Sequence, residues 1–218
     1  MLYRISKIVS GPFLHLLWRP RVDGAENVPA AGPAILASNH LSILDSTFLP
    51  LMLPRLVTFV AKTEYFTGNP LVAAYMRATG QLEIDRDSAR AAQTMLEAAA
   101  GVLRRGGLFG IYPEGTRSPD GRLYKGKIGV AWLALTTGAP VIPVAMSGTG
   151  EVLPPGASLP RIARIGVRIG EPMTFSGDAG HARTRREVTD QVMQAIQKLS
   201  GQEYVPVYAS SLKARPTG

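Results

Sequence analysis

The sequence predicts an α/β fold, a single domain with a largely parallel or mixed central sheet flanked by helices. Three observations carry that prediction. From residue 21 onward, short apolar runs alternate with helix-period patterns. Gly, Pro and Asn separate the runs. The chain has 218 residues, 45% of them hydrophobic, enough for one sizeable core and short for two.

Taken in order, residues 1–20 differ in character from the remainder of the chain. The first 22 residues contain Arg4, Lys7, Arg19 and Arg21 and no acid. Leu2, Ile5, Val9, Phe13, Leu16 and Leu17 recur among them at helical spacing. A basic amphipathic segment suits an interface of apolar chains and anionic headgroups, with Tyr3 and Trp18 at headgroup level. The alternative is a terminal helix docked on the core, divided at Pro12. A cleaved leader is disfavoured, because Arg19 and Arg21 follow the apolar stretch and no A-x-A site lies beside them. No stretch reaches the roughly 20 apolar residues of a membrane span.

Strand-like runs occur next at Ala34 to Ala37, Val57 to Ala61, Gln81 to Ile84, Leu108 to Tyr112, Val141 to Ala145 and Ile162 to Ile169. The clearest helix is Ser88 to Arg105. Ser88 can cap it, Ala89, Ala92, Leu96, Ala99 and Leu103 share a face, and Gly106 stops it. Thr184 to Glu187 reads as a capping box opening a helix that carries Val188, Val192, Ile196 and Leu199 and ends at Gly201. The prolines of Gly148 to Pro160 indicate a loop. Residues 201–218 form a C-terminal tail of little periodicity, mobile or packed on the surface, so the folded domain covers 21–200.

Composition narrows the chemistry. Cysteine is absent, which excludes disulfides, thiolate metal sites and a cysteine nucleophile. Three scattered histidines without an HExxH pattern argue against zinc. A net charge of +8 suits an anionic partner. Aromatic residues are only 7% and no nucleic-acid motif is found, so lipid or phosphorylated substrate is favoured over nucleic acid. Gly121 to Lys127 mimics a phosphate-binding loop, but Ile128 replaces the hydroxyl residue that would hold magnesium. No G-x-S-x-G elbow occurs.

Three constellations remain. In Ser38-Asn39-His40-Leu41-Ser42-Ile43-Leu44-Asp45 an apolar run ends, a loop presents His40, and a helix opens near Ser42. Asp45 can fold back to fix one imidazole nitrogen, leaving the other basic toward a substrate hydroxyl. On spacing alone the favoured reading is that Ser42-x-x-Asp45 is a capping box and His40 an ordinary loop residue. In Tyr112-Pro113-Glu114-Gly115-Thr116-Arg117-Ser118, a buried strand ends where α/β ligands usually sit. There Gly115 permits close approach and Arg117 offers a fork for phosphate; a surface Glu114–Arg117 pair is the competing reading. Arg86, in Gly80-Gln81-Leu82-Glu83-Ile84-Asp85-Arg86, could join Arg117 around one anion, or the segment could be a charged turn before the Ser88 helix.

These blocks together resemble the glycerolipid acyltransferases, the 1-acylglycerol-3-phosphate O-acyltransferase family. His40 and Asp45 match its H-x-x-x-x-D signature, and Pro113-Glu114-Gly115-Thr116-Arg117 its P-E-G-T-R block. Gly80 with Ile84-Asp85-Arg86 matches G-x-x-x-I-D-R, Val141-Ile142-Pro143-Val144 resembles the fourth block, and Lys125-Gly126 matches a basic pair between the last two. Tyr112 replaces the usual Phe, and Glu83 a common aromatic. The resemblance implies transfer of an acyl chain from a coenzyme A or acyl carrier protein thioester to lysophosphatidate, giving phosphatidate. It makes His40 the base and Asp45 its orienter, assigns Arg86, Glu114, Gly115, Thr116 and Arg117 to the acceptor phosphate, and puts Val141, Ile142, Pro143 and Val144 near the acyl donor. No metal or cofactor is implied. The expected place is the cytoplasmic face of the cell membrane, peripheral or monotopic. Glycerol 3-phosphate or another lysophospholipid is the alternative acceptor, and a non-catalytic module binding anionic lipid the alternative class.

Overall fold

A computed structural model describes residues 16–84, 91–154, 157 and 159–213. Its centre is strand β2 (Ala34–Ser38), buried at every position. Ala34 and Leu36 face one cluster with Phe48, Leu49, Ile142 and Val144. Ile35 and Ala37 face another with Leu103, Phe109, Leu133 and Val192. Successive side chains point to opposite faces, so a strand covered on both sides must be apolar throughout. The run Ala-Ile-Leu-Ala supplies that.

Parallel to β2 on either side run β6 (Leu108–Ile111) and β8 (Val141–Ser147). The sheet has six strands: β1 (Arg21–Asp23), β9 (Gly166–Ile169), β8, β2, β6 and β3 (Val57–Thr58), in that order. Every pairing is parallel except β8 with β9, so the sheet is mixed. Pro143 stands where the β8–β9 ladder ends; lacking an N–H, it only accepts, from the amide of Gly170 at 2.8 Å.

Helix α1 (Asp45–Met52) covers one face through Phe48 and Leu49. The other is covered by the helix expected after Ser88, here α4 (Ala91–Arg104), by α5 (Gly129–Thr137) and by α7 (Ala182–Ser200). Short α2 (Glu64–Thr67) and α3 (Pro70–Ala78) lie between, and Asn69 caps α3 by accepting from the amides of Leu71 and Val72. Among the described residues, no helix is long and apolar enough to cross a membrane.

Several expectations need correction. Val57 to Ala61 is two strands. β3 joins the central sheet, while β4 (Val60–Lys62) pairs with β5 (Leu82–Ile84) in a separate ribbon. The break is Phe59, whose amide bonds to the side chain of Gln81 at 2.8 Å instead of to a strand. Ile162 to Ile165 is not strand; regular pairing begins at Gly166, where β1 and β8 both become available. The capping box does not open α7. That helix starts at Ala182 after His181, and Thr184 already lies in its first turn. The loop from Gly148 contains a helical turn, α6 (Thr149–Val152). The tail beyond Gly201 is structured as far as Lys213: β10 (Tyr204–Val205) pairs with β7 (Leu123–Tyr124), and α8 (Ala209–Lys213) comes after it. Trp18 is docked on the fold, edge-on to Phe48 with ring centroids 5.6 Å apart. Residues 1–15, Asp85, Arg86 and Ser88 lie outside the described residues.

Candidate active site

Because β2, β6 and β8 are parallel, their carboxyl ends share one edge of the sheet. The loop after β2 carries His40, and the loop after β6 carries residues 112–118. The main chain fastens them together: the amide of Ser118 donates to the carbonyl of His40 at 2.8 Å.

His40 is held on three sides. Its Nδ1 lies 2.9 Å from Asp45 Oδ2. The same oxygen accepts from the amides of Leu41 at 2.7 Å and Ser42 at 2.9 Å. Asp45 is therefore both the imidazole's partner and the cap of its own loop, and the two sequence readings describe one arrangement. Asp45 is fully buried, and its Oδ1 has no hydrogen-bond partner among the described residues. A carboxylate accepts only, so the contact selects the neutral tautomer in which Nδ1 donates and Nε2 carries the lone pair. The imidazole also stacks on Tyr112, with centroids 3.8 Å apart and planes 10° from parallel. Phe59 stacks beyond Tyr112 at 5.5 Å. Room for Phe59 comes from Gly110, where a Cβ would lie 2.2 Å from the Phe59 ring. Tyr112 Oη shares a 2.9 Å hydrogen bond with Ser46 Oγ, on the first turn of α1 beside Asp45. Burial, and then the Asp45 charge, push the Tyr112 phenol well above its ordinary value, with the Ser46 bond pulling the other way, so it stays neutral.

Glu114 behaves differently from its assignment to acceptor phosphate. It is 1% exposed, and its two oxygens accept from the amides of His40 at 3.2 Å and Tyr124 at 2.9 Å. Burial raises its carboxyl from 4.5 to about 7 against the pull of those two amides, with the negative charges of Asp45 and Asp120 adding to the rise. It is an internal brace between the two site loops and β7. Gly115 and Arg117 are exposed beside it and Thr116 is half-buried. Gly115 has φ +73, and the nearest atoms to its missing Cβ belong to Lys127, with Cε at 2.9 Å and Nζ at 3.1 Å. An exposed second cation thus lies over the loop. Arg86 is outside the described residues. Val141, Ile142, Pro143 and Val144 are buried in β8, so none of them presents a surface to a ligand.

Four contributors escaped the sequence reading. Asn39 is buried; its amide nitrogen donates to the carbonyl of Met146 at 3.0 Å and its oxygen accepts from the Met146 amide at 2.7 Å, tying the His40 loop to β8. It also donates to Gln202, which in turn donates to the carbonyl of Gly121. Ser46 and Lys127 complete the set. For Lys127 a signal existed in its place beside the Lys125-Gly126 pair; for Asn39 and Gln202, 163 residues apart, none did.

A family model described as Acyltransferase matches residues 19–147. The chain belongs to the acyltransferase family. Both site loops, with Lys127, fall inside the match; Gln202 falls outside. Among its relatives, a chloroplastic 1-acyl-sn-glycerol-3-phosphate acyltransferase of Arabidopsis thaliana is 33% identical over 154 residues, covering 70% of this chain and 43% of that protein. The human 1-acyl-sn-glycerol-3-phosphate acyltransferase beta is 36% identical over 130 residues, 59% of this chain and 46% of that one. The chain thus spans less than half the length of these curated relatives. The crystal structure of PlsC from Thermotoga maritima, a 1-acyl-sn-glycerophosphate acyltransferase, superposes with a TM-score of 0.73 at 27% identity, over 99% of this chain and 81% of PlsC.

Proposed function

We propose that this acyltransferase moves a fatty acyl chain from the thioester of coenzyme A or acyl carrier protein to the free hydroxyl of 1-acylglycerol 3-phosphate, giving phosphatidate. The observation that carries the reading is the His40–Asp45 contact of 2.9 Å at the carboxyl edge of the sheet, inside the family match. The names of the relatives support the acceptor.

The geometry suits a single base. His40 Nε2 takes the proton of the acceptor hydroxyl as its oxygen attacks the thioester carbonyl, worth about 10²–10⁴ in rate. The tetrahedral intermediate collapses, the carbon–sulfur bond breaks, and the departing thiolate takes the proton back from Nε2. One ester and one thiol result. Asp45 holds the ring in one tautomer throughout. Gly115, Thr116, Arg117 and Arg86 receive the acceptor phosphate, the planar guanidinium of Arg117 in bidentate fashion. Glu114 serves by holding their loop, and β8 by fixing the floor beneath the donor. Residues 1–20 contact the membrane from its cytoplasmic face.

The test crosses lysophosphatidate, glycerol 3-phosphate and a neutral lysolipid with both donor types, using wild type and His40→Ala. Transfer confined to lysophosphatidate and lost in His40→Ala is the expected result. No transfer to any acceptor, or turnover within a few-fold of wild type in folded His40→Ala, overturns it.

A further inference from the structure

We infer that the segment 159–164 is a second membrane-seating element, which joins the chain around Leu16 to form one bilayer-facing surface beside the active site. The occupant is the surface of a bilayer containing anionic lipid. This deepens the proposed reading, in which the acceptor is a membrane lipid, but it rests on different atoms.

The first observation is exposure. Leu159 and Ile162 are each 79% exposed and Leu16 is 74% exposed, about as open as side chains become in a folded chain. Scattered exposed leucines are ordinary, but these lie on two segments that are bonded to each other. Trp18 Nε1 donates to the carbonyl of Arg161 at 2.8 Å, the amide of Ile165 bonds to the carbonyl of Trp18 at 3.3 Å, and the amide of Arg21 bonds to the carbonyl of Ile165 at 2.9 Å. Residues 16–21 and 161–165 thus run side by side as one strip.

The second observation is charge. Arg19, Arg161 and Arg164 are exposed on that strip, and neither 16–22 nor 159–165 contains an acid. Apolar tips flanked by cations match the layered chemistry of a bilayer surface, acyl chains below and phosphates above. A protein partner's apolar face would satisfy the leucines and leave the arginines without counter-charges.

The third observation is position. The strip is fastened at Val152, where the amide of Arg161 donates to the carbonyl of Val152 at 2.7 Å. At its root, Ser42 Oγ donates to the carbonyl of Leu153 at 3.3 Å, two residues from His40. Ile43 of the same loop is 42% exposed. A bilayer seated on the strip lies against the loop that carries the base, so a lysolipid can reach His40 without crossing water.

The test is co-sedimentation of the full chain with phosphatidylcholine vesicles, with and without phosphatidylglycerol. Leu159→Ser/Ile162→Ser should weaken binding to both, by about tenfold for each lost side chain. Arg161→Gln/Arg164→Gln should weaken binding only where phosphatidylglycerol is present, by about fivefold per arginine. Thermal melts should match wild type, as should turnover of a soluble short-chain acceptor. Wild-type vesicle binding by both folded double variants overturns the proposal, as does protection of 159–164 from hydrogen exchange by residues 1–15 in the absence of vesicles. Loss of binding together with no acyl transfer by wild type to any acceptor supports the surface and removes the reading of function; normal transfer with unchanged binding does the reverse.

Discussion

The two sides of the candidate site are built on opposite plans. On the side of the proposed base, His40 is fixed by Asp45, by the Tyr112 stack and by main-chain bonds to Glu114 and Ser118, almost all of it buried. On the side proposed to take the acceptor phosphate, Gly115, Arg117 and Lys127 stand exposed. A base must meet one proton within a few tenths of an ångström, and rigidity is what supplies that. A phosphate is a diffuse, strongly attracting target, and it tolerates wider placement of the groups that bind it. Damage to the first side should therefore be abrupt, and damage to the second graded.

The largest effect is expected at the base. His40→Ala should lower turnover by about 10³-fold or more at unchanged melting temperature. Asp45→Asn should lose less turnover but more stability, because its oxygen can keep the three bonds made by Oδ2 while its NH2 lies buried at the Oδ1 position, which has no hydrogen-bond partner among the described residues; steady-state rates and melts of both variants check this.

Next comes the brace. Glu114→Gln replaces an acceptor of two main-chain amides by a group with one donor end, and should cost about 1–3 kcal/mol of stability at neutral pH. The wild type should also lose stability as pH rises. Glu114 is raised from 4.5 to about 7 by burial, so its contribution is complete below 4.5 and disappears as pH passes through 7. Denaturant melts across that window should slope downward for wild type and more gently for Glu114→Gln.

Graded loss is expected on the anion's side. Arg117→Lys should reduce turnover and acceptor affinity by roughly tenfold, less than Arg117→Ala, with little change in donor affinity. Kinetics varying donor and acceptor separately decide it. A defect confined to the donor would assign Arg117 to the thioester's carrier.

The smallest effect belongs to Tyr112→Phe. It keeps the stack and removes the bond to Ser46 Oγ, for a stability loss of about 1 kcal/mol and a turnover change below tenfold. Gly110→Ala sharpens the same point from below. It leaves the Tyr112 bond in place but drives Phe59 out of the stack, and should cost more than Tyr112→Phe in both measurements.

How much of this was legible in the sequence depends on range. Local patterns carried well: the apolar runs of β2, β6 and β8, the stop at Gly106 (φ +79), and the His40-to-Asp45 spacing all appear where they were expected. What depended on distant partners did not. β1, β7 and β10 are two or three residues long and exist because another strand lies alongside, so no periodicity could mark them. Glu114 shares a block with Gly115, Thr116 and Arg117, and the resemblance assigns it to phosphate along with them; only the fold reveals that its carboxylate points inward to two amides. Residues 162–165 had strand composition, but the pairing that decides strand formation begins at 166.

The bond between Asn39 and Gln202 has a consequence for the order in which the molecule is made. It joins residues 163 positions apart. Synthesis from the amino terminus delivers His40 and Asp45 early, yet a bracing partner of the adjacent residue leaves the ribosome only after α7 is complete. The nascent chain can pair β2 with β6 and close most of the sheet while the base's loop still lacks that support. Contacts of such separation form late, since they restrict the longest stretch of chain. Catalytic competence should therefore lag behind the acquisition of secondary structure during refolding, with the final step set by docking of residues 201–205 onto the loops.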